Sequence, residues 1–342
     1  MSTGHTKEHG LGETDNHTAA TMSQISNLIS DGEITLTGTT VVDCSTAVQT
    51  HTMPAISTTN NGYTYRIGKT GINWLRIDTT GSDTVDSIAE IYFFMDNEYA
   101  TFRANNTSKN WEIVEKVEPK LYAEKQVTLT NTMSNADILA TIRSQPRNLS
   151  GNNLIFNFAD GTYTLTEELD FSGFRGGVLW IRGNTSEDHL TLHSDQAVIL
   201  DSSATDINTI LMYNITSTIY VRNLHIKTKT DVDHRSCIYV RNVSYLHAIA
   251  GCRFECNSKA NGYCLYFSLS NAMVRACYTD SSEYGISAYI NSNVSSLGND
   301  TLTVNSEYGL TASANATIGK SGSQPSGDTA DENTSFGGVI RN

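Results

Sequence analysis

The chain has 342 residues, a formal net charge of −13 and 17% charged residues, below the usual quarter. That acidic balance sets aside nucleic acid as a partner, because tracking a phosphate backbone needs the opposite sign. No apolar run reaches the roughly 18 residues of a membrane helix, and the abundance of Asn, Ser, Thr and Gly favours turns and strands.

Residues 1–31 read as a polar N-terminal attachment arm. "MSTGHTKEHGLGETDNHT" lacks the apolar core of an export signal, so assembly in the cytoplasm is expected. His5, His9 and His17, with Asp15, have spacings that metal ligands use. Gly10 and Gly12 favour solvated polar residues instead, so neither metal nor cofactor is expected. Met22, Ile25, Leu28 and Ile29 follow at helical spacing.

Residues 32–117 read as a small β-sandwich-like domain. "YTYRIGK", "IAEIYFFM", "YATFRA" and "NWEIVEK" are strand-like runs separated by turns such as "TTGSD" and "NNTSKN". Trp74 and Trp111 are expected in its core. Residues 118–153 read as a linker and a capping helix: Ser134 or Asn135 caps it, Ile138, Leu139 and Ile142 form one apolar face, and Pro146 stops it.

From 154 to 320 strand follows turn without helices, and the sequence repeats itself. Asn214-Ile215-Thr216 returns 28 residues later as Asn242-Val243-Ser244, with Val221 over Ile249, Leu224 over Cys252 and Ile226 over Phe254. "CIYV" at Cys237 returns as "CLYF" at Cys264 after 27 residues, and "SEYGISA" at Ser282 returns as "SEYGLTA" at Ser306 after 24. Self-similarity at this interval marks a solenoid. The apolar residues alternate, so the repeating unit is a strand and the fold is a parallel β-helix. The repeat interval gives roughly seven turns over this stretch, each rising ~4.8 Å. Residues 321–342 read as a C-terminal tail.

"GLGETDNHTAA" resembles the N-terminal arm of bacteriophage tail fibres. "YTYRIGKTG…LRIDTTGSDTVD" with "YATFRANNTSKNWEIV" resembles a small β domain of such proteins. "ADILATIRSQPRNLSGNNLIFNFADGTYTLTEELDFSGFRGG" resembles the start of a tailspike β-helix. The resemblance implies an all-β protein with a right-handed parallel β-helix, trimeric, carried on a phage tail or a phage-derived extracellular particle. It implies attachment to other tail or baseplate proteins through the N-terminal region and contact with host polysaccharide. Adhesion rather than catalysis is the leading expectation; a polysaccharide depolymerase on the same scaffold is the alternative.

Tyr239 and Tyr266 fall between inward positions, so they face outward as candidate glycan or subunit contacts. Asp231, Asp233, His234 and Arg235 share a charged loop where the repeat offset is greatest among the copies, which suits partner contact. Glu283 and Glu307 occupy equivalent places in neighbouring copies. Two carboxylates near 5 Å apart are the geometry of a retaining glycosidase, against acids splayed into water at a corner. The six cysteines lack paired zinc-ligand spacing and are expected as buried thiols. No phosphate loop and no nucleophile elbow occurs.

Overall fold

The computed structural model describes residues 36–45, 49–71, 75–87, 90–93, 98–229, 235–257 and 262–342. The chain divides into two compact units, residues 1–118 and 119–342. The expected arm, its histidines and Trp74 lie outside the described residues.

In the first unit a five-stranded sheet and a three-stranded sheet share one apolar core. Strands Thr64–Thr70, Tyr99–Asn105 and Asn110–Val117 pair antiparallel, and Leu36–Asp43 joins parallel to the first of them. Trp111 is fully buried there, as its sequence context predicts. Tyr65 meets its ring edge-on at 5.3 Å, and its indole N–H donates to the Pro54 carbonyl at 3.3 Å. Burial of so large a ring is compatible with stability because its one polar atom is paired.

The second unit is the parallel β-helix, wound around a single continuous core. Three faces make up its turns. Face A holds 210–213, 235–241, Gly262–Ser268, Tyr284–Tyr289, Ser306–Ser313 and Gly327–Ser335, each paired in parallel with the next. Face B stacks nine strands, from Lys125–Leu129 through Asn153–Phe158 and Val178–Arg182 to Val339–Arg341. Face C is shorter, with Gly161–Thr164, Val198–Ser202, His225–Thr228, Arg253–Cys256 and Tyr278–Asp280. Ile210–Arg222 and Arg235–Ala250 run on from face A into face B without a break.

The repeats are vertical neighbours. Val221 pairs with Ile249, Ile226 with Phe254, Ile238 with Leu265, Val240 with Phe267, and Ile286 with Leu310. These side chains point inward and are fully buried, each contributing about 1.5–3 kcal/mol of apolar transfer. All six cysteines are free and buried, five of them filling the solenoid interior.

Between faces A and B the chain turns through a column of left-handed residues. Asn214, Asn242, Leu269, Ile290, Ala314 and Phe336 have φ of 55°, 55°, 50°, 41°, 51° and 47°. Asn tolerates this region better than other L-residues, and Asn242 Nδ2 donates to Asn214 Oδ1 at 2.5 Å.

Helix Asn135–Arg143 lies between the first two face-B strands. The Ser134 hydroxyl accepts from the Asp137 amide, and Ile138, Leu139 and Ile142 are buried in the solenoid core. The coil begins earlier than the expected residue 154, since Lys125–Leu129 already pairs with Asn153–Phe158. It also runs through the stretch read as a tail: Gly327–Ser335 and Val339–Arg341 add to faces A and B. Their polar sequence hid them, because Glu332 and Thr334 stand in register with Leu310 and Ala312. On face A backbone pairing carries most of this level, with the Ser335 hydroxyl donating to Ser313 Oγ at 2.9 Å, while on face B Ile340 packs against the core. The greatest offset also falls elsewhere than expected: Leu169 pairs with Ile210, 41 residues on, and Val178 with Thr218, 40 on, and the excess lies in loop 183–197.

Candidate functional site: a tyrosine-walled groove on face A

Three outward columns run down face A. The first carries Tyr263, Tyr284 and Tyr308, in register from level to level. Their rings stack at 4.9 and 5.5 Å, within 18° of parallel. These spacings follow the ~4.8 Å separation of the strands beneath.

The middle column starts with Tyr239 and Tyr266, whose rings stack at 5.0 Å and 15°. It continues in register as Ser287, Thr311 and Asn333. Large residues thus give way to small ones along a single column. The third column carries Tyr289, with Ser313 and Ser335 in the next two levels. Tyr289 lies 6.1 Å from Tyr266, and Tyr263 meets Tyr266 edge-on at 5.0 Å.

The step from tyrosine to serine leaves a trench of about 390 Å³. Tyr263 and Tyr284 wall one side, Tyr289 the other, and Tyr266 closes the upper end. Ser287, Thr311 and Ser313 form a floor recessed from solvent. The Thr311 hydroxyl is buried without a hydrogen-bond partner. Burial pushes the Tyr263 phenol up to about 12, with the neighbouring Glu283 charge adding to it. Burial also raises Tyr266 and Tyr284. All three therefore remain protonated donors at neutral pH.

No family model and no curated protein matches the chain. Among solved structures, the pectin methylesterase from Aspergillus niger, in a penultimately deglycosylated form, aligns at 14% identity with a TM-score of 0.27 over 60% of this chain and 70% of that one. A score so low carries no weight for function; the strand register above is what defines the fold.

Tyr239 and Tyr266 face outward and line the groove. Arg235 instead pairs with Asp206, Nε to Oδ1 at 3.1 Å; Asp231, Asp233 and His234 lie outside the described residues. Glu283 and Glu307 occupy successive levels, the Glu307 amide donating to the Ser282 carbonyl at 2.9 Å and the Tyr308 amide to the Glu283 carbonyl at 2.8 Å. Neither carboxylate lines the trench. Glu307 Oε1 accepts from the Thr329 hydroxyl at 3.5 Å, while Glu283 Oε2 is buried and unpartnered. Among the described residues no group of three or more His, Cys, Asp and Glu is arranged to hold a metal.

Tyr263 and Tyr284 escaped the sequence reading for a geometric reason. Cys264 and Leu265 are adjacent in one strand and both fully buried, so the strict alternation breaks between them. Counting by twos outward from Tyr266 therefore assigns Tyr263 to the wrong side.

Proposed function

We propose that this protein is an adhesion component of a phage-type tail, a fibre or spike, that holds surface polysaccharide in the face-A groove. The trench is the observation that carries this reading. Its walls are flat rings with an apolar face and a polar tip, and its floor is hydroxyl and amide groups. Sugars offer matching surfaces, C–H patches for the rings and hydroxyls for the floor. Stacking already fixes the tyrosines, so little rotamer entropy remains to be lost on binding.

Three copies side by side would multiply a weak contact through avidity. The same resemblance that suggests a tail protein assigns the N-terminal region to other tail or baseplate proteins. It assigns the particle to a virion or a phage-derived injection or bacteriocin-like assembly.

Glycan-array binding with the intact chain tests the proposal, with Tyr266→Ala and Tyr284→Ala as probes. Loss of signal in both, with unchanged circular dichroism, is expected. Silence of the intact chain on the array would reduce it to a spacer. New reducing ends released from a bound polysaccharide, and abolished by Glu283→Gln or Glu307→Gln, would replace adhesion with the depolymerase reading.

A further inference from the structure

A second cluster lies on face B, where loop 183–197 folds back onto the coil. Trp180 pairs with Tyr220 and Arg182 with Arg222. The two aromatic rings stack at 4.0 Å and 8°. The Arg222 guanidinium sits 4.7 Å from the Trp180 ring centre and 5.1 Å from that of Tyr220. One level on, Ala250 occupies the arginine column, and Arg275 follows it.

The loop is seated. Asn223 Nδ2 donates to the Asn184 and Glu187 carbonyls at 2.6 and 3.0 Å, and Arg253 donates to the Ser194 carbonyl at 3.1 Å. Gly251, at φ 61°, lies so close beneath that a Cβ there would fall 2.8 Å from His189 Cα. Under the loop is a cavity of about 70 Å³ lined by Trp180, Arg182, Glu187, His189, Arg222 and Asn223.

Three polar atoms of these residues are buried without a hydrogen-bond partner: the donor Arg222 Nε and the acceptors Asn223 Oδ1 and Glu187 Oε2. Buried polar groups left unpaired are costly, and three stand together here for an incoming group to pair. Among the described residues Arg182, Arg222 and Arg275 form no ion pair, although the chain carries a net −13. Arg182 donates to the neutral Asn157 Oδ1 at 2.6 Å. Burial, with the charges of Arg182 and Arg275, lowers Arg222. Burial and Arg222 also lower His189, against the opposing charge of Asp188, so its imidazole is neutral at pH 7. Glu187 is the acidic group that lines the cavity together with Arg182 and Arg222.

We propose that this cavity is a second saccharide site, selective for a carboxylate-bearing sugar of an acidic polysaccharide. The carboxylate takes the arginine donors. The adjacent sugar hydroxyls donate to Asn223 Oδ1 and Glu187 Oε2. A simple anion supplies acceptors only and leaves those two oxygens unpaired; a neutral sugar leaves the arginine charge uncompensated. The volume admits the carboxylate and the neighbouring hydroxyl, with the rest of the polymer outside. The site does not depend on the face-A groove being a glycan site.

Calorimetric titration of the full chain tests this, using a glucuronate-containing tetrasaccharide, its all-glucose counterpart and sodium sulfate. The glucuronate probe is expected to bind and to change tryptophan emission through Trp180, with affinity falling as salt rises. Arg222→Gln is expected to weaken it about 10- to 100-fold, the worth of one charge-assisted contact. Arg275→Gln, which does not line the cavity, is expected to weaken it about threefold through the local field. Tyr122→Ala, at an exposed side chain outside both sites, is expected to leave it unchanged. Equal affinity for the glucose probe or for sulfate would overturn the proposal. So would absent binding of the glucuronate probe, or unchanged affinity in a folded Arg222→Gln protein.

Discussion

The inward and outward sides of Gly262–Ser268, Tyr284–Tyr289 and Ser306–Ser313 obey different rules. Inward, like sits over like: Leu265, Ile286 and Leu310 form one column, all fully buried. Outward, the middle column changes from Tyr266 to Ser287 to Thr311. Continuity inside gives every level the same cross-section, while a discontinuity outside opens a trench. Repetition therefore points to the scaffold, and the place where it breaks points to the site.

The sharpest way to break that distinction is to truncate both sides of one strand. Phe267→Ala removes a fully buried ring and should cost about 3–5 kcal/mol of stability. Chemical denaturation would report it as a lower midpoint. Tyr266→Ala, one residue earlier on the outer side, should cost much less stability and yet abolish groove binding. Equal losses of stability from the two would mean the tyrosine column is mainly structural.

Refilling the trench sharpens the comparison from the other direction. Ser287 follows Tyr239 and Tyr266 in register. Ser287→Tyr would continue the stack down a level and occupy the sugar's space. Glycan affinity should fall on the order of 100-fold, ~2.7 kcal/mol, while the thermal midpoint holds or rises slightly. Titration against the array's best ligand, beside a melting curve, separates the two effects.

Most of the solenoid was readable from the letters because its interior repeats in register with its strands. Ile238 over Leu265 and Tyr284 over Tyr308 are visible as copied words. What could not be read was whatever departs from the copy. Glu332 and Thr334 stand where an apolar ladder would continue, so the last level looked like a tail. Cys264 and Leu265 are both buried, so simple alternation counted from Tyr266 misses Tyr263 as an outward residue. Trp180 and Arg222 are 42 residues apart, and the loop between Val178 and Thr218 interrupts the copied words there. Tyr239 and Tyr266 were identifiable as outward residues, but the groove beside them depends on the small side chains in the following levels.

Face C supplies an electrostatic counterpart to the aromatic columns. Glu255 accepts from His225 Nε2 at 3.0 Å and lies 3.1 and 3.6 Å from Arg253 and Lys227. The His225 hydrogen bond foremost, with the charges of Lys227 and Arg253, brings its pKa down from 4.5 to about 2. A lowered acid stabilises the fold above its unfolded value and loses that contribution as the pH falls through the folded one. Stability should therefore drop between pH 4.5 and about 2. Glu255→Gln should be less stable at neutral pH and flatter across that window. Parallel pH dependence in the two proteins would show that other carboxylates dominate the acid limb.

The smallest expected effect tests the corner where the inside and outside columns meet. Leu269 stands in the left-handed column at φ 50°, directly after Asn214 and Asn242. Its side chain is 44% exposed, so little packing is at stake. Left-handed backbone strains an L-residue, and Asn is strained least because its short amide hydrogen-bonds locally. Leu269→Asn would also offer an amide to Asn242, extending the bond that Asn242 already makes to Asn214. A gain of ~1 kcal/mol is expected, read as a higher denaturation midpoint with an unchanged slope. A loss instead would mean that the Leu269 side chain is covered in the assembled protein, which would make this corner part of an interface rather than an open edge.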